Sequence, residues 1–220
     1  MIKKGAFLIG IIGLTVSSCI DHEVIPAPIP EVELYAHFEG DIGGVFREYT
    51  ENVLEYSATP SIAKQTLGGI TDAQYLFSMI SPTYLDYVQI AMGSISWPDP
   101  TGTQTPGLTQ FNDFFLANDL PNYSNLAYAG FEVTYRDVYG VTWKSHQDSI
   151  PQDVSFTAIK QESDASGDYS KFICSFNTTV HHTYSVVDWS VIPQTIPATM
   201  KDSNASITIE NAIYHGYFKR

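Results

Sequence analysis

Three groups of residues in this sequence have the type and spacing to do chemistry. Asp164, Ser166 and Asp168 place oxygen ligands on alternate residues, a spacing that can wrap a hard cation such as calcium. A calcium loop of the EF-hand kind also needs a glycine directly after Asp168 and a distal Glu. Tyr169 stands in that place and the Glu is missing, so a polar hairpin turn is the competing expectation. Calcium at these residues is the one cofactor the sequence suggests. Trp97 and Trp189 border loops around Pro98–Gly107 and Pro193, where an indole can stack on the apolar face of a sugar. Trp143 instead shares a strand face with Phe131, Val133 and Tyr135 and is expected in the core. The third group is Cys19, preceded by Val16-Ser17-Ser18 at the end of an apolar run.

Other reactive side chains read as structural. His181 and His182 are adjacent in a strand-like segment, so their rings point to opposite faces and cannot chelate one ion without a bulge. His37, His146 and His215 each stand alone in the sequence. Cys174 falls on an apolar strand face and reads as a buried thiol. Asp41, Asp99 and Asp113 are loop acids with no partner visible in sequence. No G-x-S-x-G elbow occurs, and a carboxylate pair for glycoside hydrolysis is defined by a separation in space that sequence does not show.

The residues around Cys19 form a recognisable pattern. Lys3 and Lys4 precede an uncharged, mostly apolar run of twelve residues, Gly5 to Val16. A helix spanning a bilayer needs about 20 such residues, whereas a secretory signal needs about this many. Val16-Ser17-Ser18-Cys19 resembles the lipobox of bacterial lipoproteins at all four positions. The resemblance implies cleavage after Ser18 and attachment of a diacylglyceryl group to the Cys19 thiol. It also implies an acylated mature N-terminus, and two or three chains anchor a protein stably. Ile20 stands where an Asp retains lipoproteins in the inner membrane, which implies the outer membrane. Asp21 and Glu23 resemble an acidic surface-export signal, interrupted by His22. The expected localisation is the bacterial cell envelope. Asn177-Thr178-Thr179 and Asn204-Ala205-Ser206 match the N-glycosylation pattern, but that pathway does not fit a lipobox.

Composition bounds the rest. Removing residues 1–18 leaves 202 and takes away two lysines with no acid, moving the formal charge from −13 to −15. So acidic a chain disfavours nucleic acid and anionic lipid as partners. With Cys19 acylated, Cys174 has no cysteine to pair with, so the fold needs a hydrophobic core rather than staples. Fourteen Tyr, twelve Phe and three Trp against few Lys and Arg favour strands.

The elements that must position these residues follow from the pattern. Residues 19–31, with Pro26, Pro28 and Pro30, form an extended tether. Leu34, Ala36 and Phe38 alternate in a half-buried strand, Gly40–Gly44 reads as a turn, and Val45–Tyr56 as a bent strand ended by Thr59-Pro60-Ser61. Thr71 with Gln74 fits a capping box, yet Tyr75–Ile80 fits a strand equally well. Leu85–Trp97 is a long strand. Residues 108–118 form the best helix, with Thr109 or Asn112 as cap. Phe131–His146 is a hairpin turning at Val138-Tyr139-Gly140, a type I turn with a G1 bulge, and that register pairs Tyr135 with Trp143. Val154–Gln161, Tyr169–Tyr184 and Ile207–Phe218 are further strands, the last as one or two short ones.

These strands describe a mostly β protein, an antiparallel β-sandwich of immunoglobulin-like or jelly-roll style over residues 32–220. The hairpin Gly130–Asp137 with Trp143-Lys144-Ser145, then Ser155-Phe156-Thr157 and Phe172–Thr179, resembles uncharacterised bacterial lipoproteins; the resemblance implies no catalytic residue. The expected function is a non-catalytic, lipid-anchored module for glycans or envelope protein partners. The competing expectation is an envelope hydrolase, which requires a cleft with two loop carboxylates beside Trp97 or Trp189.

Overall fold

The structure, a computed structural model, describes residues 30–124, 128–146, 153–190 and 197–220. Cys19, the apolar run before it, the tether up to residue 29 and the Pro193 loop lie outside the described residues. The elements are β1 (His37–Ile42), β2 (Val45–Thr50), β3 (Ser57–Leu67), β4 (Ile70–Ile80), β5 (Tyr87–Pro98), α1 (Leu108–Ala117), β6 (Gly130–Arg136), β7 (Thr142–Ser145), β8 (Ser155–Asp164), β9 (Gly167–Val187) and β10 (Met200–Lys219). The strands form one curled antiparallel sheet in the order β2-β1-β10-β9-β7-β6-β5-β4-β3, with β8 added to β9. The mostly β, sandwich-like architecture and the one short helix among the described residues are as the sequence indicates.

One sheet makes two layers because β9 and β10 serve both. The first half of β9 pairs with β8, and its Val180 and His181 pair with β7. The second half of β10 pairs with β1. The β9–β10 ladder shifts register between Ile209 and Ala212, where Asn211 takes a φ of 54°. A bulge bends a strand and increases its twist. Asn177 on β9 holds this bulge, its Oδ1 accepting from the Asn211 amide at 2.7 Å and its side-chain amide donating to Asp153.

The layers meet through aromatic rings. Phe77 of β4 lies 5.7 Å from Phe172 of β9 and 5.5 Å from Tyr214 of β10. Phe131 of β6 lies 6.0 Å from Phe156 and 5.8 Å from Phe176. Most of these pairs are edge-to-face, which suits the quadrupoles of the rings. Phe111 and Phe115 of α1 pack on Tyr75, and Phe115 stacks on Phe218 at 4.7 Å. A polar knot joins β2, the start of β3 and the β4–β5 loop. Buried Asp86 accepts from the Tyr49 hydroxyl at 3.0 Å and the Tyr56 hydroxyl at 3.3 Å.

Local expectations fared unevenly. Tyr135 pairs with Trp143, and the Asp137–Val141 turn closes with Gly140 at φ 81°. Thr71 lies in a strand, its hydroxyl donating to the Asp99 carbonyl, so the capping box is not used. Neither Thr109 nor Asn112 caps α1. Gly107 is the N-cap and supplies no side-chain bond, so the buried phenylalanine face holds this short helix. Pro60 lies inside β3 rather than ending a strand. β3 is an edge strand paired with β4 alone among the described strands, and an edge strand is the place in a sheet where proline is tolerated. The break comes earlier, at Glu51–Glu55. Gly40 is in β1, not in the turn, and a Cβ there would stand 3.0 Å from Ala212 Cα at the bulge. β10 is a single strand of 20 residues, longer than its pattern suggests.

Two outcomes test this core. A Cβ on Gly216 would stand 2.5 Å from Phe77 Cε1 and 2.8 Å from Phe172 Cζ, so Gly216→Ala is expected to lower unfolding free energy by about 1–3 kcal/mol in urea titrations. Burial raises the Tyr49, Tyr56, Tyr75, Tyr123 and Tyr214 hydroxyls above the phenol range, and pushes Tyr217 up to about 12. The fold therefore accepts the neutral phenols. Their contribution is full below the unfolded value of 10.0 and is lost as pH rises from there toward the folded values. The urea midpoint is expected to fall steeply above about pH 10.

Candidate functional site

The outer face of the first layer carries a row of residues in cross-strand register. Ala158 of β8 faces Ile173 of β9, Ile173 faces His215 of β10, His215 faces His37 of β1, and His37 faces Thr50 of β2. Alternation explains the row: Phe172, Cys174, Tyr214 and Phe38 turn into the core, so the residues between them turn outward.

The chain before β1 is laid against this face. The Val32 amide donates to Asp164 Oδ2 at 2.9 Å, and Lys171 Nζ donates to the Glu33 carbonyl at 2.7 Å. Tyr35 then sits with its ring centroid 6.1 Å from those of both His37 and His215. Between Tyr35, Ala158, Lys160, Lys171, Ile173 and His215 lies a groove of about 230 Å³. A hollow of about 370 Å³ beside it shares both lysines and reaches Pro30, where the described chain begins.

The groove has an apolar floor and a charged rim. Lys160 and Lys171 both contact Glu162, Lys171 at 3.1 Å, and these bonds hold the Glu162 carboxyl below its usual range. Burial, then the nearby His37, lowers His215 below the ordinary imidazole value. His37 Nδ1 lies 2.9 Å from Thr50 Oγ1, which donates to Glu48 Oε1 at 3.3 Å. His37 Nε2 lies 3.6 Å from Glu39 Oε2. This arrangement suits a ligand with an apolar face and a hydroxyl or anionic edge.

The residues singled out in the sequence end up elsewhere. Trp97 is 4% exposed, with the Lys64 ammonium 5.5 Å from its ring, and offers no free face for stacking. Its strand continues to Pro98, which carries the indole into the core. Trp189 is 74% exposed and keeps an open ring, next to Asp188, which accepts from Ser190 and pairs with Lys201. Neither tryptophan borders the hollows described here.

Asp164, Ser166 and Asp168 lie at the hairpin turn between β8 and β9. The register pairs Asp164 with Gly167 and Ser163 with Asp168, so alternation sends the two carboxylates to opposite faces. Asp164 Oδ1 accepts from the Ser166 amide and hydroxyl and the Gly167 amide. The Ser166 hydroxyl, then the Val32 amide, holds Asp164 down at about 2. Asp168 accepts from Ser163 and from the Arg220 guanidinium. Among the described residues no group of three or more His, Cys, Asp or Glu that could hold a metal ion is found.

Other expectations hold. Cys174 is buried, and burial pushes its thiol up. His181 stands 5.4 Å from His146 and His182 5.5 Å from Trp143, so the adjacent pair does diverge. Asp99 is 0% exposed and organises its loop, accepting from the amides of Thr101, Gly102 and Gln104. The pairing of His37 with His215 had no signal in the sequence. It arises from the β1–β10 register, between residues at opposite ends of the chain.

No family model, no curated protein and no solved structure matches the chain.

The N-terminal strap supplies a test. Asp164→Ala removes the acceptor of the Val32 amide, so hydrogen exchange at residues 31–36 is expected to accelerate while the core strands stay protected. In the unmodified chain this bond is present above the unfolded carboxylate value of 3.8 and is lost as pH falls toward about 2.

Proposed function

We propose that this chain is a lipid-anchored binding module of the bacterial cell envelope, held on the bilayer, at the outer membrane, through Cys19. Its ligand is a glycan or an envelope protein partner that docks in the Tyr35–His215–Lys171 groove. The anchor rests on the lipobox residues Val16-Ser17-Ser18-Cys19. The binding reading rests on the groove: an apolar floor, an exposed aromatic wall and a few convergent polar groups, the combination that recognition sites use. Tyr35 can stack on the apolar face of a sugar while Lys171 and His215 reach its polar edge. The groove opens beside Pro30, so a ligand would be held close to the root of the tether.

Metabolic labelling with an alkyne fatty acid tests the anchor. The wild-type chain is expected to take up label and partition to membranes, and Cys19→Ser to do neither. The detergent-purified chain, applied to a glycan array and used as bait for envelope proteins, tests the ligand. Tyr35→Ala is expected to weaken the retained interaction about tenfold or more, because the ring is exposed and its loss leaves the core untouched. Retention of no ligand, or retention unchanged by Tyr35→Ala, removes this reading.

A further inference from the structure

A hollow of about 640 Å³ lies between the end of β5 and helix α1, and it shares no lining residue with the Tyr35–His215 groove. Its polar wall turns acceptors outward. The Gln110 side-chain nitrogen donates to the Ser96 carbonyl, and the Asn118 side-chain nitrogen donates to the Phe114 carbonyl at 2.6 Å. A carbonyl can only accept, so both amides are fixed this way round and each leaves its own oxygen free. The Ser96 hydroxyl gives its single proton to the Asp72 carboxylate, so its oxygen too can only accept. Asp113, on the same helix, is a carboxylate to which no described residue donates. No lysine, arginine or histidine stands among the described residues that line the hollow. The C-terminal end of α1 borders it as well, with no basic residue in the last turn, so the partial negative charge of the last carbonyls is uncompensated.

We propose that this hollow binds a small primary alkylamine in its ammonium form. An ammonium carries three donors and no acceptor, the complement of a wall that presents acceptors. Asp113 supplies the opposite charge, and the oxygens of Ser96, Gln110 and Asn118 are the acceptors open to the remaining protons. Ile95, Phe114 and Ala117 give the alkyl stem an apolar bed, and the Phe114 ring itself attracts a cation. The formal charge of −13 concentrates small cations at the surface of the chain. An anionic ligand meets repulsion from Asp113, and a neutral alcohol of the same shape forgoes the charge. The hollow stands ready for its ligand. Phe111 and Phe115 pin α1 against Tyr75, and the Gln110 bond fastens the helix to β5, so no element has to move. The site depends neither on the lipid anchor nor on a ligand in the groove.

The five-carbon diamine cadaverine, titrated into the detergent-purified full chain, tests the proposal, with pentanediol and glutarate as probes of the same length. Calorimetry is expected to show one cadaverine per chain and no saturable heat from the diol or the diacid. Amide NMR is expected to shift residues 94–96 and 109–118 and to leave Tyr35, Lys171 and His215 in place. Asp113→Asn changes an exposed side chain with no partner to lose, so the fold is kept. It is expected to weaken binding about fivefold or more, as when a charge-assisted bond at a solvent-open site becomes a neutral one. Asp202→Asn makes the same charge change on the exposed first part of β10 and is expected to leave binding as it was. The proposal is overturned if millimolar cadaverine gives no saturable binding, or if pentanediol or glutarate binds as tightly. It is also overturned if the shifted amides lie elsewhere, or if Asp113→Asn binds as tightly as its parent. None of these results bears on whether the groove holds a glycan or a protein.

Discussion

The rest of this structure depends on one hairpin, β9–β10, whose hydrogen-bond ladder runs almost unbroken from Tyr169–Lys219 to Val187–Met200. Its single register shift, at Ile209–Ala212, lets one pair of strands belong to two layers. Asn177 holds the bulge by accepting from the Asn211 amide and is itself held by Asp153. Gly40 lies on the neighbouring strand, and a Cβ there would stand 3.0 Å from the bulged backbone. From this bend follow the layers, and from the layers the enclosed aromatic core of Phe77, Phe131, Phe172, Tyr214 and Phe218. The described chain achieves this without a disulfide; Cys174 contributes packing alone.

Part of the acidic character of the chain is put to structural use. Asp86 ties two tyrosine hydroxyls, Asp99 gathers the amides of its own loop, Asp164 caps a turn and straps the N-terminal segment, and Asp168 binds Arg220. Each is a carboxylate satisfied by donors, which is the condition under which polar groups are tolerated in or beside a core. On the outer face, Glu39, Glu48 and Glu162 stand next to His37 or the groove lysines.

The outer face of the first layer is where separate stretches of chain converge. Tyr35 comes from the strap, His37 from β1, Lys160 from β8, Lys171 from β9 and His215 from β10. Sheet pairing sets these residues side by side within about 5 Å per strand. A face built this way is rigid, since every member except Tyr35 is carried on a paired strand. The strap that carries Tyr35 is also the first part of the described chain.

Much of the local structure was legible in the sequence. The Tyr135–Trp143 pair, the helix near 108–118, the buried face Phe172–Cys174–Phe176–Thr178 and the divergence of His181 and His182 all follow from periodicities of 2 and 3.6 acting on near neighbours. Turn chemistry likewise marks the Asp164–Gly167 hairpin. The resemblance of Val16-Ser17-Ser18-Cys19 to a lipobox is likewise a matter of contiguous residues. What only the tertiary structure decided is which distant strands pair and in what register. Pro60 could be read as a breaker because edge position is not a local property. Trp97 looked like a loop-edge ligand because burial depends on what packs above it. Asp164 and Asp168 looked like co-ligands because the hairpin register that separates them is set across the turn. His37 and His215 looked solitary, since 177 residues lie between them and only the β1–β10 ladder brings them face to face. Short-range patterning is written in the order of residues. Juxtaposition across a sheet follows from the global pairing that best buries the aromatic core.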